Sequence, residues 1–244
     1  MDITIITSIF NGGDHILGFL KNIVNQTIFN RCELYLLDAN SQDGEYKVIK
    51  EFQKKYSNIK YEQLDYDPGI YPCWNHMIEN SDSKYITNAN LDDRIFSKCI
   101  EKHVDFLEKN EDIDLAYCYN VVVDQEGVTE DKLFGQQQIF TTGEFSLENM
   151  LRANLPHNHP VWRRSLHDRF GMFSDEYASG SDWDFWLRCA FGGSKMYLIK
   201  EPLGIYYRNP KGMSTNPDNM ERNLKEVSEI RSKYWKLLSD GFAK

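Results

Sequence analysis

Ile3-Thr4-Ile5-Ile6-Thr7-Ser8-Ile9-Phe10-Asn11-Gly12-Gly13-Asp14 opens the chain with an apolar, β-branched run that breaks at Asn11-Gly12-Gly13. β-Branched residues favour a pleated strand, and an Asn-Gly-Gly break favours a tight turn. Residues 14–25 then carry Ile16, Leu17, Leu20, Ile23 and Val24 at helical spacing. The unit is strand, turn, helix. It recurs: apolar runs at 33–38, 59–64 and 84–89 read as further strands, and 45–56 repeats the helical spacing with Val48, Ile49 and Phe52. Alternating β and α elements predict an α/β fold around a largely parallel sheet.

Outward from this unit the alternation fades. Residues 113–123 are apolar and β-branched and run into Asp124–Gly127, the chemistry of a hairpin turn. Residues 136–181 contain three glutamines, Pro156-His157-Asn158-His159-Pro160 and several glycines, a composition suited to long connections that shape binding sites. A helix is expected over 182–191, short strands near 195–199 and 203–207, and a last helix over 219–238. That helix places Leu224, Val227, Ile230, Tyr234 and Leu238 on one side, with Arg222, Lys225, Arg231, Lys233 and Lys236 elsewhere. Such an amphipathic face docks on its own domain, on a partner or on anionic lipid.

Composition narrows the function. Twenty-eight Lys plus Arg against 37 Asp plus Glu leave a net charge of −9 over 244 residues, which argues against nucleic acid as a partner. Five scattered cysteines (32, 73, 99, 118, 189), with no Cys-x-x-Cys pair, form neither a disulfide framework nor a zinc site and suit a reducing, cytoplasmic setting. No apolar run approaches membrane-spanning length, and no basic region precedes the hydrophobic N-terminus. Neither a Gly-x-Gly-x-x-Gly fingerprint nor a P-loop follows any expected strand, which disfavours nicotinamide and P-loop chemistry.

In open α/β sheets ligands lie beyond the carboxyl ends of the strands. Four such ends carry candidates: Thr7-Ser8-Ile9-Phe10-Asn11, Asp38-Ala39-Asn40-Ser41-Gln42-Asp43-Gly44, Asp65-Tyr66-Asp67-Pro68-Gly69, and Asn90-Leu91-Asp92-Asp93. Small residues, amides and carboxylates there suit a base and ribose, though the same residues also simply make turns. The pair Asp92-Asp93 calls for a counter-charge: either a hard divalent cation completed by diphosphate oxygens, or a local role as an acidic cap for a helix starting near Ile95, with Arg94 as partner. Ser181-Asp182-Trp183-Asp184 forms a second acidic cluster. Ser181 with Asp184 fits a capping box; Asp182, beside Trp183 and Trp186, is left as a candidate general base at a partly apolar sugar site.

These segments, in this order over about residues 1–215, resemble the inverting family-2 glycosyltransferases of the GT-A fold. Thr7 to Asn11 is similar to the opening Pro-Thr-Tyr-Asn segment, Asp38 to Gly44 to the Asp-Asp-Gly-Ser-x-Asp-Gly loop, and Gly69-Ile70-Tyr71 with Trp74-Asn75 to Gly-Ile-Tyr-Asp-Ala-x-Asn. Asn90-x-Asp92 falls at the metal-binding Asp-x-Asp, and Gly180 to Arg188 at the Glu-Asp segment carrying the usual base. The resemblance implies a Rossmann-like domain over 1–215, with a donor-binding half (1–95) and an acceptor-side half (96–215), followed by a helical extension over 216–244. It implies Thr7, Ser8, Asn11, Asp38, Asn40, Asp67, Gly69 and Asn90 toward the nucleotide sugar, and Arg208 of Tyr207-Arg208 toward the diphosphate. Asp92 with Asp93 would bind Mn²⁺ or Mg²⁺, and Asp182 would act as the base. A UDP-sugar is the expected donor and a saccharide or lipid-linked saccharide the expected acceptor, at most touching the inner face of a membrane. Surface-polysaccharide assembly is the common setting of such chains, and the missing Gln-x-x-Arg-Trp signature implies one sugar added at a time.

Three departures stand out. Asn90 replaces the first acid of Asp-x-Asp, Ser181 the usual Glu before the base, and Pro72 a common Asp. His157, His159 and Trp162, followed by Arg163-Arg164, are candidate acceptor contacts together with Trp183; the plainer alternative is loop histidines and a half-buried tryptophan. Two rival functions are a non-catalytic nucleotide-sugar-binding module, motivated by Asn90 and Ser181, and a sugar nucleotidyltransferase. The latter needs a basic phosphate loop after the first strand, where 10–14 supplies no cation.

Overall fold

The structure, a computed structural model, describes residues 1–242. In chain order the elements are β1 (Ile3–Ile9), α1 (Gly13–Val24), β2 (Cys32–Asp38), α2 (Glu45–Gln53), β3 (Ile59–Gln63), α3 (Ile70–Glu79) and β4 (Tyr85–Asn88). There follow β5 (Arg94–Ile95), α4 (Cys99–Lys109), β6 (Leu115–Val123), β7 (Gln138–Phe140), α5 (Leu147–Arg152), β8 (Val161–Arg163), α6 (Ser165–Phe170), α7 (Ser181–Phe191), β9 (Met196–Tyr207) and α8 (Met220–Phe242). The strands form one mixed sheet in the order β3-β2-β1-β4-β8-β6-β9-β5, with β7 added to β6.

The first four strands are parallel, as the β-α alternation requires. Side chains alternate across them: Ile3, Ile5, Leu34 and Leu36 meet α1, α2 and α4 on one face, while Ile6, Tyr35, Leu37 and Ile86 meet α3, α6 and α7 on the other. The sheet therefore has a core on each face. β8 reverses the direction between β4 and β6. That reversal puts the loops around residues 154–160 beside the carboxyl end of β4.

Several expectations need correction. The helix foreseen from Ile95 is instead β5, paired antiparallel with β9, and the helix starts at Cys99. Residues 124–127 do not close a tight hairpin: the next strand along the chain to pair antiparallel with β6 is β7, reached only at Gln138. The two strands near 195–199 and 203–207 are one, β9, running parallel to β6 with register shifts where Pro202 interrupts the ladder. α3 was not anticipated, and it contains Pro72. The proline sits in the first turn, where its missing N–H has no helical partner to lose.

α8 docks on the protein. Ile230 and Tyr234 are buried, Val227 and Leu238 pack against the core, and the Tyr234 ring lies 5.2 Å from that of Phe191. Leu224, expected on the same face, is 63% exposed. The last two positions of the expected extension, Ala243 and Lys244, lie outside the described residues. Among the described residues, no helix is long and apolar enough to cross a membrane.

Candidate active site

A cleft of about 1000 Å³ opens over the carboxyl ends of β1 and β4. It is lined by Ser8 and Asn11 from the end of β1, Asp67 and Gly69 from the loop after β3, and Asn90 and Asp92 from the loop after β4. Asp182 and Trp183 from the start of α7 and Asn154 and His157 from the loops before β8 line it too. Residues 209–215 complete the lining. The strand ends splay polar loops into one depression because the apolar alternation stops there. Gly69 shapes the depression: its φ of 93° with ψ of 170° is a conformation essentially reserved for glycine.

The two adjacent carboxylates have different fates. Asp92 is half-buried and accepts one hydrogen bond at Oδ2 from Asn209 Nδ2 (2.8 Å). Asp93 is buried; its Oδ1 accepts from the Tyr207 N–H (2.9 Å), and its Oδ2 from the amides of Asn158 (3.1 Å) and Asn90 (3.2 Å). Burial, with Asp92 alongside, pushes the Asp93 carboxyl up to about 8. Asp93, which also lines the cleft, ties the β4 loop to β9 and the 158 loop. Arg94 holds the same loop from behind, donating from Nη1 to the carbonyls of Leu91 (2.8 Å) and Asp93 (2.5 Å).

Asp182 is the second residue of α7. Its Oδ1 accepts from the Tyr71 hydroxyl (3.1 Å) and its Oδ2 from Asn154 Nδ2 (2.7 Å). Desolvation pushes its carboxyl above the ordinary range and outweighs the lowering effect of these donors and of the Trp183 N–H. A carboxylate raised in this way, aimed into a cleft and oriented by two donors, has the character of a general base. The capping box is absent: Gly180 is the N-cap, and the Ser181 hydroxyl donates to the Ser174 carbonyl. Asp184 turns into the core, where it meets Lys233 (2.7 Å), Tyr234 (3.0 Å) and Arg188 (3.1 Å).

Of the expected donor-side residues, Ser8, Asn11, Asp67, Gly69 and Asn90 line the cleft together with Asp92. Thr7, Asp38 and Asn40 do not. Thr7, within β1, is fully buried. Asp38 is spent on the loop after β2, accepting from the Ser41 N–H (2.7 Å) and the Tyr61 hydroxyl (2.8 Å). Asn40 is exposed in a left-handed turn, φ 65°. Arg208 points away from the cleft into a two-pronged ion pair with Asp124 (2.6 and 2.7 Å).

Among the expected acceptor contacts, Trp183 and His157 line the cleft, with Trp183 Nε1 fixed on the Met150 carbonyl (2.8 Å). His157 lies between Phe140 and Tyr206, and burial pulls its imidazole down to about 4, so it is neutral. His159 is buried, its imidazole likewise pulled down to about 3 by burial. Trp162, 0% exposed, is a core residue whose Nε1 donates to His167 Nε2 (3.0 Å). Arg163 and Arg164 serve the Ile113 and Leu107 carbonyls and Asp168 rather than a ligand. Both histidines of the 157–159 loop have positive φ, 37° and 57°, a conformation costing about 1–3 kcal/mol apiece that the packing around them must impose.

Asn154 and Asn209 were missed because nothing in their local pattern marks them. Tyr71 lay within a quoted motif, yet its hydroxyl's bond to Asp182 spans 111 positions of sequence. For a divalent cation, Asp92 offers the fitting donor: it lies in the cleft, and its Oδ1 accepts no hydrogen bond from the described residues. No cluster of three or more His, Cys, Asp or Glu side chains suited to a metal occurs among the described residues, so a cation here would need oxygens from a bound diphosphate.

Comparison with known proteins bears on the fold and the family. The chain is 24% identical over 207 residues to an uncharacterized glycosyltransferase of Methanocaldococcus jannaschii, covering 85% of this chain and 68% of that one. It is 28% identical over 211 residues to the putative glycosyltransferase EpsE of Bacillus subtilis, covering 82% and 71%. Among solved structures, Staphylococcus aureus TarS 1–349 in complex with UDP-GlcNAc superposes with a TM-score of 0.74 at 17% identity, over 96% of this chain and 66% of that one. The mannosyltransferase PcManGT of Pyrobaculum calidifontis, with GDP-Man and Mn²⁺, gives 0.66 at 14% identity, over 86% and 58%. These likenesses bear out the GT-A-like fold. The profile of Glycosyl transferase family 2 matches residues 4–170, most of the chain, and the chain belongs to that family.

Proposed function

We propose that the chain transfers one sugar from a nucleoside-diphosphate sugar, with a UDP-sugar as the expected donor, to a hydroxyl of a saccharide or lipid-linked saccharide, with inversion at the anomeric carbon. The observation that carries this reading is that Asp92 and Asp182, 90 positions apart, line one cleft. The UDP-GlcNAc held by TarS supports the donor class. A relative named poly(ribitol-phosphate) beta-glucosyltransferase, matched over 48% of this chain, supports a role in surface-polymer synthesis.

The chemistry follows from these lining residues. Ser8, Asn11 and Asp67 receive the nucleoside end of the donor, and the sugar extends toward Asp182. Asp182 takes the proton from the acceptor hydroxyl as its oxygen attacks the anomeric carbon, on the face opposite the departing diphosphate. Tyr71 and Asn154 keep both carboxylate oxygens oriented during that transfer. Lys211 at the rim faces the leaving group. Asp92 would hold Mn²⁺ or Mg²⁺ together with the donor's phosphate oxygens; such a cation, when bound, neutralises the charge growing on the leaving diphosphate. Trp183 offers the acceptor an aromatic surface.

A cytoplasmic enzyme that touches the membrane is part of the same proposal, because Met220, Leu224 and Trp235 are exposed on α8. The test is incubation with a panel of nucleotide sugars and Mn²⁺, reading released nucleoside diphosphate and the product anomer by NMR. Turnover with an inverted anomer, lost in Asp182→Asn, is expected. Tight binding without turnover even with a matched acceptor, or a retained anomer, would overturn the reading.

A further inference from the structure

The match to the family profile ends at residue 170, and α8 lies wholly beyond it. One residue of α8 is placed unlike the rest. Glu226 is only 6% exposed, and its carboxylate is met by three consecutive backbone N–H groups. Oε1 accepts from Ala178 N (2.9 Å), and Oε2 from Ser179 N (2.9 Å), the Ser179 hydroxyl (2.9 Å) and Gly180 N (3.0 Å). Successive N–H groups converging on one anion form a nest, and each such charge-assisted bond is about twice as strong as a neutral one. Among the described residues the one basic side chain within 4 Å is Arg222, at 3.9 Å, so backbone dipoles supply most of the compensation for this buried carboxylate.

The clamped loop leads straight into the candidate base. Gly180 is the N-cap of α7, and Asp182 follows two residues later. The Tyr71 hydroxyl has a single proton, shared between the Ser179 carbonyl (2.9 Å) and Asp182 Oδ1 (3.1 Å). At Gly180 a Cβ would stand 2.7 Å from Ile230 Cδ1, so α8 approaches the loop as closely as a glycine permits. Docking of α8 does not need Glu226: Ile230 and Tyr234 are buried, and Lys233 with Tyr234 engages Asp184. The neighbours of Glu226 on its helix, Asn223 and Val227, line the cleft.

We propose that Glu226 is a positioning residue: by clamping residues 178–180 it sets Asp182 and the Tyr71 hydroxyl in the geometry for proton abstraction. α8 is then a working part of the transferase rather than an appendage. The proposal rests on Asp182 being the base, and the test separates the two ideas.

The experiment compares Glu226→Gln, Asp182→Asn and Lys233→Met in the full chain, using the nucleotide-sugar substrate found active and UDP as the binding probe. Gln keeps the size of Glu226 but replaces an accepting oxygen with a donor. A misplacement of about 1 Å at a reacting group costs on the order of 100-fold in rate, so Glu226→Gln should lower kcat by roughly 10- to 100-fold with KM for the donor and Kd for UDP within about twofold. Lys233→Met, which loosens the helix without touching the loop, measures the effect of docking alone on kcat and melting temperature. A Glu226→Gln enzyme that keeps its kcat, or loses no more than Lys233→Met does for an equal fall in Tm, overturns the positioning role. If Glu226→Gln fails to fold, Ser179→Ala removes one clamp bond, and the same comparison with Lys233→Met decides. Undiminished kcat in Asp182→Asn would overturn the base assignment; loss there with intact Glu226→Gln would overturn only the clamp.

Discussion

Replacing Asn154 with leucine removes the amide donor at 2.7 Å from Asp182 Oδ2 while keeping the number and branching of side-chain heavy atoms. Among the described residues Asn154 Oδ1 has no partner, so the leucine strands no other group. A hydrogen bond to a charged acceptor contributes about 1.5–3 kcal/mol. That bond favours the ionised carboxylate, so its loss must raise the Asp182 pKa, and at about 1.4 kcal/mol per unit the rise is about 1–2 units. Burial has already raised this carboxyl, and the Tyr71 bond remains in place. Only the ionised form accepts a proton from the acceptor. The acid limb of kcat/KM therefore moves to higher pH by about 1–2 units, with activity recovering on the alkaline side. The assay is the pH dependence of sugar transfer, or of donor hydrolysis, for the wild type and Asn154→Leu. An acid limb that stays in place or moves to lower pH would refute the reasoning.

Other perturbations check the corrected assignments. Trp162→Ala should cost about 3–5 kcal/mol in urea unfolding with UDP affinity of the folded fraction unchanged, because its indole fills the core; normal stability with lost acceptor binding would restore it to the site. Chelation with EDTA should suppress turnover, and Asp92→Asn should demand more Mn²⁺ for the same rate; turnover indifferent to both would remove Asp92 from a metal role. Gly180→Ala should destabilise by about 1–3 kcal/mol in thermal melting, because its Cβ would press on Ile230; an unchanged Tm would show that α8 yields freely.

Much of the fold was legible because its signals are local. β1 has the expected bounds, Ile3–Ile9, since β-branched alternation and the Asn11-Gly12-Gly13 break are both contained in a dozen residues. The same holds for α1 and the start of α2. α3 was not foreseen: residues 70–79 were read only for their motif, and the buried face of Tyr71, Cys73, Trp74, Met77 and Ile78 went unread. At the site, Asp92 and Asp182 were readable from acidic residues at element ends. The difference between Asp92 and Asp93 was not: it is made by Asn158 and Tyr207, 65 and 114 positions away. Trp162 and Arg208 misled for a related reason. An aromatic or a cation near a loop looks available until the tertiary partner that claims it, His167 or Asp124, is in place. Asn154 and Glu226 carry no pattern of their own and acquire meaning only from what they touch.

The most direct measurement of the central claim is a crystal structure of the enzyme with an intact nucleotide-sugar donor and Mn²⁺. The account predicts the diphosphate beside Asp92, with the anomeric carbon turned toward Asp182 across an opening that admits an acceptor hydroxyl. A donor whose sugar lies away from Asp182, or whose diphosphate avoids Asp92, would contradict it.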